Sequence, residues 1–167
     1  MRIEDLLLER QAEVKGLWLE LVINTYPPDS REFFKNRKDR FANPVGVTLS
    51  GQIDSLYDAL VKGAADEDYA AILEDFIKIR SVQEFSPSAA IGFILHLKQA
   101  VREILAKDIQ SQNLYGELLV FETKVDNLLL KAFDLYSQSR EKLLQIRADE
   151  LKRRLYMAFR MTSSDTE

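Results

Sequence analysis

Apolar residues recur at three- and four-residue spacing along most of the chain, which is the pattern of amphipathic helices. This periodicity predicts five main helices, with one short polar helix between the first two. In chain order they cover 7–25, 30–38, 48–61, 66–82, 87–107 and 114–161. The run Tyr26-Pro27-Pro28-Asp29 ends the first helix because neither proline can continue it. No segment has the strict alternation of a half-buried strand. The sequence therefore predicts an all-α, single-domain helical bundle.

Capping residues mark several of the helix ends. Gly63 lies where a left-handed C-terminal cap is expected, and Asp66 is predicted to be the N-cap of the third main helix. Ser86 followed by Pro87 is typical of an N-cap and a first helical position, where the missing proline N–H costs nothing. The polar stretch 108–113 predicts a gap before the last helix.

The last predicted helix is too long for a bundle of this size. If straight, it would measure on the order of 70 Å, whereas a domain of this length has a radius of gyration of about 15 Å. The helix must therefore kink, fold back or protrude. We divide the chain into a sensory domain over 1–135, a helical extension over 136–161 and a disordered tail over 162–167. The leucines of the extension lie among many charges, which suits a partner-binding or dimerising helix. A solvated helix of the same domain is the alternative.

Composition and charge exclude several classes of protein. With 167 residues, 46% hydrophobic and 30% charged, the chain fits a soluble globular domain. A net charge of −4 argues against nucleic-acid binding, which usually needs a basic patch. The absence of cysteine excludes disulfides, thiolate metal sites and a cysteine nucleophile. No apolar run approaches the roughly 20 residues that span a bilayer, and the acidic start 1–5 is unlike a signal peptide. We expect a cytoplasmic protein with no membrane insertion.

Several short motifs, separated by helical spacers, carry a family resemblance. They are Trp18 with 23–27, the run Arg40-Phe41-Ala42-Asn43-Pro44-Val45-Gly46, the run 79–90, and Leu97-Lys98. Over about 10–110 the chain resembles the N-terminal sensory domain of RsbRD-type co-antagonists of RsbT, which are bacterial stress-response regulators. The resemblance implies a helical regulatory module with no known catalytic role, for which globin-like packing is one expected arrangement. Nothing after residue 110 resembles the STAS output domain of those regulators, so we expect a stand-alone module.

Three polar residues lie inside apolar stripes. On a helical wheel Arg80 is about 40° and Gln83 about 20° from Phe76, and Lys98 is about 40° from Ile94. A buried charge is costly unless it is paired. One reading is structural, with Arg80 and Lys98 bonded to carbonyls or carboxylates that fix the interhelical turns.

The other reading is a pocket for an anionic ligand between the third and fourth main helices. Arg40 and Asn43 could join either arrangement. We favour the structural reading and leave the pocket open.

His96 is the only histidine and therefore the only candidate for haem ligation. The wheel places it on the polar face of its helix, beside Gln99 and Glu103, so a solvent-facing or surface-bonded histidine is the simpler reading. A single histidine also leaves a metal site short of ligands. We expect no metal and no cofactor.

These observations favour a non-enzymatic sensory or regulatory module that acts through protein–protein contacts. The C-terminal helix is the expected contact surface, and a homodimer is one way to use it. Two alternatives remain open: a helical protein that binds a small ligand, either an anion or haem, and a pure scaffold.

Overall fold

The computed structural model describes residues 2–35, 44–63, 66–82 and 85–164. The described chain is helical, without a strand; its helices are α1 (Ile3–Glu9), α2 (Gln11–Ile23), α3 (Pro28–Lys35), α4 (Pro44–Lys62), α5 (Asp66–Val82), α6 (Pro87–Ile91), a 3-10 turn (Gly92–Ile94), α7 (Leu95–Ile104), α8 (Ala106–Gln112) and α9 (Tyr115–Ser164). The all-α prediction and the long C-terminal helix are confirmed. Of these described helices, five have ten or more residues, in agreement with the expected number of main helices.

The five long helices form a closed ring around one core. Helix α2 packs against α4 and α7, α4 also packs against α5, and α9 closes the ring between α5 and α7. The interior is filled by large apolar side chains, with Trp18, Tyr57, Leu73 and Leu97 fully buried. Burying such side chains supplies the main free energy of folding. Each long helix therefore stabilises two neighbours.

Two sequence signals at helix ends have the expected geometry. Gly63 has φ +74°, the left-handed conformation predicted for a C-terminal cap. The Ser86 side chain accepts a hydrogen bond from the Ala89 N–H at 3.3 Å, and Pro87 opens α6. Helix α5 begins at Asp66 itself, so Asp66 is its first helical residue, and the predicted role of Asp66 as N-cap stays a prediction.

Two predicted helices are interrupted where the sequence carries no proline. The first breaks at Arg10, which separates α1 from α2. The fourth breaks at the 3-10 turn 92–94, where the buried Trp18 Nε1 donates to the Phe93 carbonyl at 2.8 Å. That carbonyl is satisfied by a side chain of another helix, so the α-helical ladder is not needed at this point.

The predicted gap over 108–113 is wrong. Residues 108–112 belong to α8. Burial of Ile109 in the core stabilises this helix although its other residues are mostly polar. The helix ends one residue before Asn113, which has φ +53°, and the Leu114 N–H donates to the Ile109 carbonyl. Asparagine tolerates this left-handed conformation better than most residues.

Helix α9 is longer than the bundle, and its C-terminal part protrudes from it. It has 50 residues, about 75 Å at the usual rise. Within 115–160 its last buried residue is Tyr136, and every side chain from Leu151 to Arg160 is exposed. The helix is continuous through residues 135 and 136 and continues to Ser164, three residues beyond the predicted end. The division into domain, extension and tail stays a prediction, as does globin-like packing.

Candidate functional site

Arg80 is the charged side chain most deeply buried in the described part of the chain, with 1% of its surface exposed. Its Nη1 lies 3.4 Å from the Tyr26 hydroxyl. Its Nη2 donates to the Ala89 carbonyl at 3.2 Å and lies 3.5 Å from the Thr25 hydroxyl. These contacts join the end of α5 to the turn after α2 and to α6.

Four aromatic rings surround the guanidinium. The Arg80 Cζ lies 4.4 Å from the ring centre of Phe85, 5.2 Å from Tyr26, 5.5 Å from Phe93 and 5.6 Å from Phe76. We call these four rings and Arg80 the Arg80 cage. The faces of aromatic rings attract cations, and guanidinium is weakly hydrated, so arginine is the cation best suited to this environment.

The cage contains no carboxylate among the described residues that Arg80 contacts. Its Nε is buried without a hydrogen-bond partner, and burial lowers the pKa of Arg80. Burial also raises the pKa of Tyr26, an effect that the Arg80 charge opposes. Arginine nevertheless stays protonated in proteins, so the bundle holds a cation that rings and neutral oxygens stabilise.

Lys98 has a different environment. Its Nζ lies 2.6 Å from the Asp126 Oδ1 on α9, and its side chain is 17% exposed. One turn along, Arg102 donates from Nε and Nη2 to both carboxylate oxygens of Glu122, at 2.6 and 2.7 Å. Two ion pairs therefore tie α7 to α9, and Arg80 and Lys98 share no partner.

The remaining predicted polar residues add little to this picture. Arg40, Asn43 and Gln83 lie outside the described residues. Four surface grooves are lined wholly by described residues, and neither Arg80 nor Lys98 lines them. The anion pocket between the third and fourth main helices stays a hypothesis.

His96 lies at the start of α7 and is half-buried. Burial lowers its pKa below the ordinary 6.5, and the nearby charge of Arg80 lowers it further. Over the described ranges, no three His, Asp or Glu side chains cluster as metal ligands do. His96 is thus electrostatically linked to the Arg80 cage.

Helix α9 also exposes an apolar surface, which the sequence pattern predicted only in the distal half of the helix. Eight large apolar side chains on α9 are each 50–70% exposed and lie within roughly 80° of one another at 100° per residue. We call this set the α9 apolar face: Tyr115, Leu119, Leu130, Phe133, Leu144, Leu151, Leu155 and Phe159. The buried apolar residues of α9 lie on average roughly 140° from the centre of this face on the same wheel. One side of the helix thus packs in the bundle while another presents apolar surface to solvent.

The family model for the RsbT co-antagonist protein rsbRD N-terminal domain matches residues 13–151. The chain belongs to the RsbRD N-terminal domain family. The match extends well beyond the resemblance at about 10–110 and includes more than half of α9. Membership places the chain among stress-signalling regulatory domains.

Neither the curated proteins nor the solved structures contain a match to the chain. Within the described segments, no helix combines the length and the apolar character needed to cross a membrane. The site must therefore be interpreted from the family and from its own geometry.

The Arg80 cage predicts an unusual order of stabilities for this RsbRD N-terminal domain. Arg80→Lys keeps a charge to be desolvated but loses the planar group that reaches three oxygens, so we expect it to cost about 2 kcal/mol. Arg80→Met removes that charge and should cost less. Urea unfolding of the two variants measures the order. If Lys were tolerated and Met strongly destabilising, the charge itself would be the stabilising feature.

His96 predicts part of the pH dependence of stability. Because its pKa is lowered in the folded state, the unfolded state binds a proton first as the pH falls below about 6.5. Stability should therefore fall over that range, until the folded-state pKa is reached. His96→Gln should flatten this part of the profile when unfolding is measured between pH 5 and 8. Identical profiles for the two proteins would contradict the lowered pKa.

Proposed function

We propose that this domain is a non-enzymatic sensory or regulatory module of stress signalling that acts through protein–protein contacts, with α9 as its contact surface. Regulation of an RsbT-like partner, as the family description suggests, is the form of this function that membership favours. A conformational signal must bind the two states of the bundle differently.

The α9 apolar face is the observation that carries this proposal. Monomeric proteins rarely expose many large apolar side chains on one side of a helix, and such surfaces commonly mark interaction sites. The eight side chains run from Tyr115 in the bundle to Phe159 in the protruding part, with polar residues such as Asp126 and Ser137 between them on the same side. A partner on the protruding part would therefore be connected to the core by one rigid helix.

The part of the α9 apolar face that lies along the bundle suits a second copy of the chain. Tyr115, Leu119, Leu130 and Phe133 are exposed there although α9 is anchored by the Lys98 and Arg102 ion pairs. An isologous dimer would cover the same residues on both copies. We propose this homodimer as the resting form.

Anion binding is a second candidate, and the unpartnered Nε of Arg80 favours it. Millimolar phosphate should then raise the melting temperature of the native protein and leave Arg80→Met unaffected. Our structural reading of the cage predicts no rise in either protein.

In-cell photo-crosslinking tests the contact surface. A photoreactive phenylalanine analogue at Leu151, on the α9 apolar face, should give discrete protein adducts after illumination. The same analogue at Arg153 provides the matched control, because Arg153 is equally exposed but lies about 160° from Leu151 on the wheel.

The proposal predicts adducts at 151 that exceed those at 153, and their loss when Leu144 and Leu155 are both changed to Glu. Equal labelling at both positions, or no protein adduct at either, would contradict a contact function for α9.

A further inference from the structure

The protruding part of the α9 apolar face carries a charge pattern that restricts its partner. We call Leu144, Leu151, Leu155 and Phe159 the distal stripe. Leu144 and Leu151 are seven residues apart and Leu155 follows four residues later, which is the spacing of a coiled-coil seam. The three leucines are exposed, and no residue in the described part of the chain covers the seam that they form.

Three of the four residues that border the distal stripe are basic. On the wheel, Arg147 and Arg154 lie along one edge, and Gln145 and Lys152 lie along the other. All four are exposed. Between Leu144 and Phe159 these edges contain three cations, one amide and no acid.

The acids of the same segment lie on other sides of the helix. Asp149 and Glu150 are each at least 100° from Leu151 on the wheel. Glu150 accepts a hydrogen bond from the Arg154 Nη2 at 2.5 Å, which balances part of the Arg154 charge. Arg147 and Lys152 therefore contribute most to the positive potential beside the stripe.

This pattern disfavours a second copy on the distal stripe. In a coiled coil, the residues that flank the two seams face each other and select the partner. A parallel copy would bring Arg147 close to Lys152 of the other chain, and like charges at such positions destabilise pairing. A protein with a net charge of −4 thus has a locally basic seam that repels its own copy.

The width of the stripe disfavours a lipid surface. Its four side chains span about 80° of the helix, and the other exposed apolar side chains of this segment, Ile146, Tyr156 and Met157, lie at least 120° from Leu151. Core-facing and interfacial helices usually have one apolar stripe of 100° or more. A narrow seam with charged edges fits one opposing helix.

We propose that the distal stripe binds an amphipathic helix of a partner protein whose flanking positions are acidic. This inference rests on the proposed contact function of α9 and adds the chemistry of the partner. Leucines of the partner would fill the seam, and its Glu or Asp residues would pair with Arg147 and Lys152. Complementary flanks would provide specificity, while apolar burial would provide affinity.

Two synthetic peptides of about three heptads test this charge preference. Both carry Leu at the seam positions; one has Glu and the other Lys at every flanking position. Fluorescence anisotropy with the full chain should show about tenfold tighter binding of the Glu peptide at low salt. The difference should shrink near 1 M salt, where the screening length falls to about 3 Å.

A charge-reversal pair supplies the decisive comparison. Arg147→Glu with Lys152→Glu should reverse the preference toward the Lys peptide. The matched control is Arg153→Glu with Arg160→Glu, which changes charge equally on the opposite side of the helix and should leave the preference intact. Circular dichroism of both variants checks that α9 remains helical.

Three results would overturn the inference: equal binding of the two peptides, no binding of either, or binding only to vesicles that contain phosphatidylserine. Adducts at position 151 in cells combined with no peptide preference would leave the contact function standing and reject the acidic partner. Peptide preference without adducts in cells would instead reject the proposed function.

Discussion

Helix α9 packs against the bundle on one side and faces solvent on the other, and the rest of the structure depends on this double role. Its buried side closes the ring between α5 and α7, and without it those two helices would each lose a neighbour. The ion pairs of Lys98 with Asp126 and Arg102 with Glu122 fix its position against α7. The same helix then leaves the bundle after about Leu143, with large apolar side chains still facing solvent. Helix α9 is packed and ion-paired at its N-terminal end and exposed at its C-terminal end. It is therefore well suited to connect the core to a contact surface.

The Arg80 cage holds a buried positive charge inside the ring of helices. Three oxygens and four rings replace the water that the guanidinium loses, and no described contact is a carboxylate. These groups come from the turn after α2, from α5, from the segment before α6, from α6 itself and from the 3-10 turn. The cage therefore forms only when these segments have assembled. Burial and the charge of Arg80 both lower the pKa of His96, so protonation of His96 is linked to the packing of this junction.

Much of the fold could be predicted from the sequence because helical periodicity is local. The stripes located the long helices, and Gly63 and Ser86 marked ends with the expected geometry. The breaks at Arg10 and at 92–94 could not be predicted in this way. The second break involves a hydrogen bond from Trp18, which lies 75 residues away in sequence. Helix α8 was missed because burial of Ile109 outweighs the polarity of its neighbours.

The candidate site was predictable only in part. The wheel placed Arg80 inside an apolar stripe, and the structure buries it, but the four rings of its cage come from separate segments that no local pattern connects. The partners of Lys98 did carry a signal: Lys98 and Arg102 are four residues apart, as are Glu122 and Asp126, so two antiparallel helices can pair both. The α9 apolar face was predicted only in its distal half, since its proximal leucines look like core residues until the bundle shows which side they occupy.

The central claim is that α9 is supported by its own bundle only as far as about Leu143, and that its distal part is available to a partner. Amide hydrogen exchange along α9 of the isolated protein tests this most directly, because exchange rates report local opening. The account predicts strong protection over 121–136 and much faster exchange over 144–160. Equal, strong protection along the whole helix would contradict it, since the distal stripe would then already be covered.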